Sequence, residues 1–180
     1  MVRLFVGLRF PFLVQEQLHS IANGLPGATW LPPENYHLTL RFIGEVDNGK
    51  AEDIDTMLLQ IQAPAFELIL RGVAQFGPLE SAHSVWASVE RSDALYHLRD
   101  KVESAVVRAG AEPDHRRFTP HVTLGRLKYS PPDRLEQYLS YHQGFKTPPV
   151  PVNDFVLYSS HLGSKGASYE QLAVYPLQKP

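Results

Sequence analysis

The sequence predicts an α+β fold of two pseudo-symmetric lobes, each an antiparallel sheet with flanking helices, around a central cleft. Three observations predict it. The tetrad His37-Leu38-Thr39-Leu40 recurs in the other half of the chain as His121-Val122-Thr123-Leu124. Around each copy the element order is the same: strand, long helix, tetrad strand, helix, strand. No glycine-serine linker or low-complexity segment divides the halves, so residues 1–180 read as one bilobed domain.

Taken in order, Leu4 to Phe10 is apolar and β-rich, and Pro11 closes that strand. Phe12 to Asn23 reads as an amphipathic helix stopped by Gly24. Ala28 to Leu31 forms a short strand before Pro32-Pro33, and the first tetrad lies in a strand from Tyr36 to Ile43, ended by Gly44. Lys50 to Gln62 places Ile54, Met57, Leu58 and Ile61 at helical spacing, with Pro64 just beyond. Phe66 to Val73 and Ser84 to Val89 are strands. Asp93 to Ala109 is the longest helix, with Leu95, Leu98, Val102, Ala105 and Val106 inward and Gly110 as its stop. Phe118 to Leu127 carries the second tetrad, and Pro132 to Leu139 is helical. The proline-rich Thr147 to Pro151 leads into an edge strand. Phe155 to Ser159 and Tyr169 to Tyr175 close the fold.

Composition narrows the function classes. A chain of 180 residues with 43% apolar and 20% charged residues can bury a sizeable core. A formal net charge of −2 argues against broad electrostatic binding of long nucleic acid. It leaves room for a small anion or the end of a polynucleotide. The chain has no cysteine, which excludes disulfides, thiolate metal sites and thiol nucleophiles. Within Met1 to Pro11, Arg9 and Pro11 interrupt the apolar run and no small-residue cleavage site follows, unlike a signal peptide. No apolar run approaches the roughly 20 residues of a membrane span. The expectation is a cytoplasmic protein with no membrane association and no obligate protein partner.

The tetrads carry the chemistry. On a strand, alternate side chains share a face, so His37 joins Thr39 and His121 joins Thr123, with Leu38, Leu40, Val122 and Leu124 turned to the core. Two such strands facing each other offer two imidazoles and two hydroxyls around one cleft. A single His-x-Thr-Leu is an ordinary accident, whereas two have odds below about one in a thousand. Imidazoles titrating near pH 6.5 supply an acid and a base at neutral pH. Threonine hydroxyls donate to phosphate oxygens. Zinc catalysis usually takes three protein ligands, whereas each tetrad offers one, and no His-Glu-x-x-His set accompanies them. No metal and no other cofactor is expected. Gly-x-Ser-x-Gly is absent.

Other residues divide between function and plain structure. Phe42 either stacks on a terminal base or belongs to the core. Arg41, Arg116 and Arg117 form a phosphate-attracting rim or are merely solvated. Tyr158 and the loop Gly163 to Gly166 either close over a substrate or make a simple hairpin. His19, His83, His97, His115, His142 and His161 show no partner pattern.

Four stretches carry a resemblance. They are Arg3-Leu4-Phe5-Val6, His37 to Val46, Phe118 to Arg126, and Leu157 to Gly163 followed by Gly166, Tyr169 and Glu170. Paired His-x-Thr motifs in this setting resemble the 2H phosphoesterase superfamily. From end to end the chain is similar to its RNA 2′,3′-cyclic phosphodiesterase branch, once described as 2′-5′ RNA ligases. Only the loop from Ser130 to Val150 offers little to match. The resemblance implies hydrolysis of RNA or oligonucleotide ends bearing a 2′,3′-cyclic phosphate to 2′-phosphomonoesters, with some reversible 2′-5′ ligation. It implies His37 as proton donor and His121 as proton acceptor, although the sequence itself does not order the two roles. It places Thr39, Thr123 and Arg126 on the phosphate. Arg126 has the wrong strand parity for that and needs a bend or bulge, for instance at Gly125. The alternatives are a 2′-5′ oligonucleotide or small cyclic nucleotide phosphodiesterase, and an RNA-end binding module without turnover.

Overall fold

The computed structural model describes residues 1–179, and within them two similar runs of elements follow one another. The first run is β1 (Val2–Arg9), α1 (Phe12–Ser20), β2 (Ala28–Trp30), β3 (His37–Val46), α2 (Asn48–Leu59), β4 (Phe66–Leu68) and β5 (Leu70–Phe76). The second is β6 (Ser84–Val89), α3 (Asp93–Arg108), β7 (His121–Leu127), α4 (Pro132–Tyr141), β8 (Val150–Val152), β9 (Asp154–Gly163) and β10 (Gly166–Pro176).

Local chemistry sets the boundaries. The Asp47 carboxylate caps α2 by accepting from the Lys50 amide at 2.7 Å, and Ser92 Oγ caps α3 by accepting from the Leu95 amide. Helix α3 buries Leu95, Leu98, Val102, Ala105 and Val106, the set its periodicity predicts. Several strands differ from expectation; β9 and β10 run on from Ser159 and back from Tyr169 to meet in a hairpin at Gly163↔Gly166. Gly44 does not end β3, because its φ of 95° lets the backbone bend and the strand continue to Val46. The stretch Phe66 to Val73 breaks at Ile69, and its two parts enter different sheets. Residues 118–120 stay outside β7.

The α+β architecture is the expected one, with antiparallel pairing throughout the sheets. Its two halves join into one eight-stranded sheet in the order β10-β9-β1-β3-β7-β6-β5, with β2 also on β7. The join is narrow: β3 and β7 register through the single pair Leu38↔Val122. The halves are also interlaced. Strand β5 of the first run pairs with β6 of the second, and β9 of the second pairs with β1 of the first. A separate two-stranded sheet pairs β4 with β8 in the same crosswise manner.

Helices α2 and α3 pack on each other and on β10 and β3 respectively, and α4 packs on β5. The Tyr138 hydroxyl of α4 donates to the Ile21 carbonyl just beyond α1 at 2.6 Å. Leu38, Val122 and Leu124 are fully buried and Leu40 is 3% exposed, so the apolar half of both tetrads lies in the core. Each such side chain contributes about 1.5–3 kcal/mol of burial free energy. That anchoring fixes the opposite faces of β3 and β7 for other use. No helix among the described residues is long and apolar enough to cross a membrane.

Candidate active site

The register pair Leu38↔Val122 determines the arrangement across the join. In an antiparallel ladder it sets His37 opposite Thr123 and Thr39 opposite His121, all four on the face away from Leu38 and Val122. The two histidines then lie on a diagonal, with Cβ atoms about 7–8 Å apart. All four residues are half-buried. The register thus brings two imidazoles and two hydroxyls together on one face of the sheet.

Each imidazole is tied in the same way. Nδ1 of His37 donates to the Asn35 carbonyl at 2.8 Å, and Nδ1 of His121 donates to the Thr119 carbonyl at 2.7 Å. A carbonyl only accepts, so Nδ1 carries the hydrogen in both rings and Nε2 is left for a ligand. The acceptor sits two residues upstream each time, in a segment that prolines keep out of the strand: Pro33–Asn35, and Thr119-Pro120 before β7. This explains why β7 starts at His121 rather than at Phe118.

Burial pulls both imidazoles below their ordinary value of 6.5, against the opposing pull of the carbonyl hydrogen bonds. For His37 the positive charges of His121 and Arg126 push in the same direction. The desolvating walls are aromatic. Phe5, Tyr158 and Tyr169 surround His37 with ring centroids at 4.8, 5.9 and 5.0 Å. Phe76 and Trp86 flank His121 at 4.9 and 5.4 Å.

The parity problem at Arg126 is resolved by a bulge. Across β6 and β7 the register shifts between Val85↔Gly125 and Trp86↔Thr123, so Leu124 is the extra residue. Strand β3 bulges at the equivalent Leu40, between Val6↔Arg41 and Gly7↔Thr39. The burial patterns from His37 to Phe42 and from His121 to Arg126 are consequently identical. Arg126 and Phe42 occupy matching exposed positions beyond the two tetrads. Gly125 is required at its place, because a Cβ there would stand 2.8 Å from the Trp30 ring and 3.2 Å from the Thr29 carbonyl. A cavity of about 150 Å³ beside Arg126 is lined by Trp30, Asn35, Lys165, Gly166 and Tyr169. The Gly163 to Gly166 loop therefore meets the site at Lys165 and Gly166.

The remaining sequence candidates separate. Phe42 is 40% exposed, with the Arg3 guanidinium 5.2 Å from its ring centroid. It lines a larger cavity of about 450 Å³ together with Thr39, His121, Arg116 and Arg117. Arg41 reaches the wall of that cavity but is 5% exposed. Its guanidinium is committed to Glu103, with Nε to Oε2 at 2.5 Å, and to the carbonyls of Phe42 and Glu112. Burial alone would raise the Glu103 carboxyl; hydrogen bonds from Arg41 and the Asp114 amide outweigh it and hold it low. Arg41 is thus a strut between β3, α3 and the segment before β7, not an open rim residue. Tyr158 is 5% exposed and stacks on Phe5 at 4.7 Å, behind His37. Burial pushes its phenol up to about 12.

Sequence reasoning passed over Phe5, Phe76, Trp86, Tyr169, Arg99 and the two upstream carbonyls. The available signals were Phe5 within Arg3-Leu4-Phe5-Val6 and Tyr169 after Gly166, both in stretches that carry the resemblance; the others depend on pairings between distant strands. Among the described residues, no three His, Cys, Asp or Glu side chains cluster as a metal-ligand set.

Known proteins resemble this chain in both sequence and fold. Residues 10–164 match the family model of the 2′-5′ RNA ligase superfamily. The RNA 2′,3′-cyclic phosphodiesterase of Thermotoga maritima is 32% identical over 95% of this chain and 93% of its own. The protein of the same name from Archaeoglobus fulgidus is 31% identical over 97% and 99%. A crystal structure of E. coli LigT complexed with 3′-AMP superposes with a TM-score of 0.78 at 27% identity, covering 98% of both chains.

Proposed function

The chain belongs to the 2′-5′ RNA ligase superfamily, and on that premise we propose that it is an RNA 2′,3′-cyclic phosphodiesterase working through His37 and His121. The observation that carries this reading is the identical presentation of the two imidazoles. Each has Nδ1 fixed by a carbonyl two residues upstream, which leaves Nε2 free, and the register sets both on one face with Thr39 and Thr123.

The cyclic phosphate of an RNA 3′ end sits between the imidazoles. Nε2 of His121 takes a proton from water as its oxygen attacks phosphorus. The bond to the ribose 3′-oxygen breaks, and that oxygen takes a proton from Nε2 of His37. The product is a 2′-phosphomonoester with a free 3′-hydroxyl. Thr39, Thr123 and Arg126 hold the non-bridging oxygens as charge develops on them. General acid–base help of this kind is worth about 10²–10⁴-fold, and a preorganised charge-stabilising donor about 10²–10³-fold. With a 5′-hydroxyl in place of water as the attacking group, the same proton transfers form the bond to the 5′-oxygen as the bond to the 3′-oxygen breaks, giving a 2′-5′ linkage and a free 3′-hydroxyl. The partner is the RNA end itself, and no cofactor takes part.

The test is incubation of an oligoribonucleotide with a 2′,3′-cyclic phosphate end in EDTA, the product read by phosphatase sensitivity and mass. Conversion to a 2′-phosphate that His37→Ala and His121→Ala both abolish supports the reading. A folded wild-type protein that leaves the cyclic end intact overturns it. RNA-end binding that survives both substitutions without turnover would favour a binding module instead.

A further inference from the structure

The two sides of the catalytic cleft are unequal. The cavity beside Arg126 has about 150 Å³, whereas that on the His121 side has about 450 Å³. A cyclic phosphate with its two threonines and Arg126 leaves the larger space unexplained.

Its walls combine rings with guanidinium groups: Phe42, Phe118, Arg99, Arg116 and Arg117, with Asp114 as the one carboxylate. Internal pairing removes part of that charge. Arg116 is held by Asp114 through two contacts of 3.0 Å, and Arg41 behind the wall by Glu103. Arg99 and Arg117 remain. The Arg99 guanidinium lies over Phe118, 5.5 Å from its centroid, and its side chain is only 15% exposed. Its partner Asp100 stands 3.5 Å away and is 74% exposed, and its buried Nε has no acceptor. Arg117 is exposed at the mouth. This local positive excess sits on a chain whose formal net charge is −2.

We propose that this cavity is a subsite for the nucleotide upstream of the reacting end, taking its base and internucleotide phosphate, so that oligoribonucleotides are preferred over mononucleotide cyclic phosphates. The inference rests on the proposed reaction at a cyclic RNA end. Aromatic faces beside arginines are the combination that holds single-stranded nucleic acid, with stacking for the base and charge for the backbone. A mononucleotide cyclic phosphate has one phosphate, already placed between the histidines, and nothing to set against Arg99 and Arg117. A second phosphate supplies the missing anion. A base-paired end has its bases stacked inside the duplex and cannot present one to Phe42 or Phe118.

The experiment compares kcat/KM for adenosine 2′,3′-cyclic phosphate with that for a tetraribonucleotide ending in the same nucleoside. Wild type, Arg117→Ala, Arg117→Lys and Phe118→Leu are assayed, with circular dichroism confirming the fold. The wild type should prefer the tetranucleotide about tenfold or more. Arg117→Ala should shrink that ratio several-fold, mainly through KM for the longer substrate, and Arg117→Lys should restore most of it. Equal rates on both substrates, or a ratio that neither Arg117→Ala nor Phe118→Leu alters, overturns the subsite. Fluorescence anisotropy with a labelled tetranucleotide carrying a 2′-phosphate separates this from the proposed reaction. Arg117-dependent binding without turnover keeps the subsite and sinks the activity. Turnover without length preference does the opposite, and neither turnover nor binding sinks both.

Discussion

The His37 side and the His121 side of the cleft share a backbone and differ in everything around it. Both strands carry the same tetrad, the same Nδ1 tether, the same bulge three residues after the histidine and the same burial pattern. Yet His37 is boxed by Phe5, Tyr158 and Tyr169 and feels Arg126, whereas His121 lies between Phe76 and Trp86 and opens on the arginine-lined cavity. Symmetry supplies two interchangeable imidazoles; asymmetry tells them apart. In the free protein Arg126 and His121 discourage a proton on His37. Under the proposed reaction, a phosphate held by Arg126 would offset that charge and favour the protonated form of His37.

The comparison breaks most visibly at the histidines. His37→Ala and His121→Ala should each lower kcat by about 10²–10⁴-fold, with the double substitution little worse than either alone. Steady-state kinetics on a cyclic-ended oligonucleotide checks this, and near-normal turnover in either variant would show that the matching geometry is not matched by function. Next in size are the equivalent positions 41 and 125. Arg41→Ala leaves the half-buried Glu103 carboxylate without its partner and should cost about 1–3 kcal/mol of stability in a denaturant titration. Gly125→Ala forces a Cβ against Trp30 and should cost about 1–3 kcal/mol.

The third contrast is Arg126 against Phe42. With Arg126 holding the phosphate as proposed, Arg126→Ala should lower kcat/KM about 10²-fold, mostly in kcat. Phe42→Ala should instead raise KM, by about tenfold, through lost base stacking. Equal kcat effects from both would dissolve the distinction between the two strands. The smallest effect is in pH. Because both imidazoles are lowered from 6.5, the singly protonated pair that the reaction needs peaks below pH 6.5 and declines as pH rises. The kcat/KM profile should therefore be bell-shaped with its maximum below 6.5. Its alkaline limb should move upward in kcat, where bound phosphate favours the protonated form.

Most of the fold and the centre of the site were legible in the sequence. Helix α3 followed from its apolar spacing, and the common face of His37 and Thr39 from strand alternation. Arg126 was legible only as a contradiction of parity, and the bulge that settles it arises where β7 meets β6. Arg41 looked like a surface arginine because nothing local reveals that Glu103 and the Glu112 carbonyl will enclose it. The aromatic walls were hidden for the same reason: Phe76 and Trp86 reach His121 only after β5 and β6 pair across the join.

That interlacing also governs how the protein can be divided. Each run of elements lends a strand to the other, β5 outward and β9 back, so a half-chain alone would have raw sheet edges where its borrowed neighbour belongs. A nick in the 77–82 connection would yield two fragments that need one another as obligate subunits do, their folding becoming bimolecular and dependent on concentration. The fold is, in that sense, a strand-swapped dimer whose protomers happen to share one polypeptide.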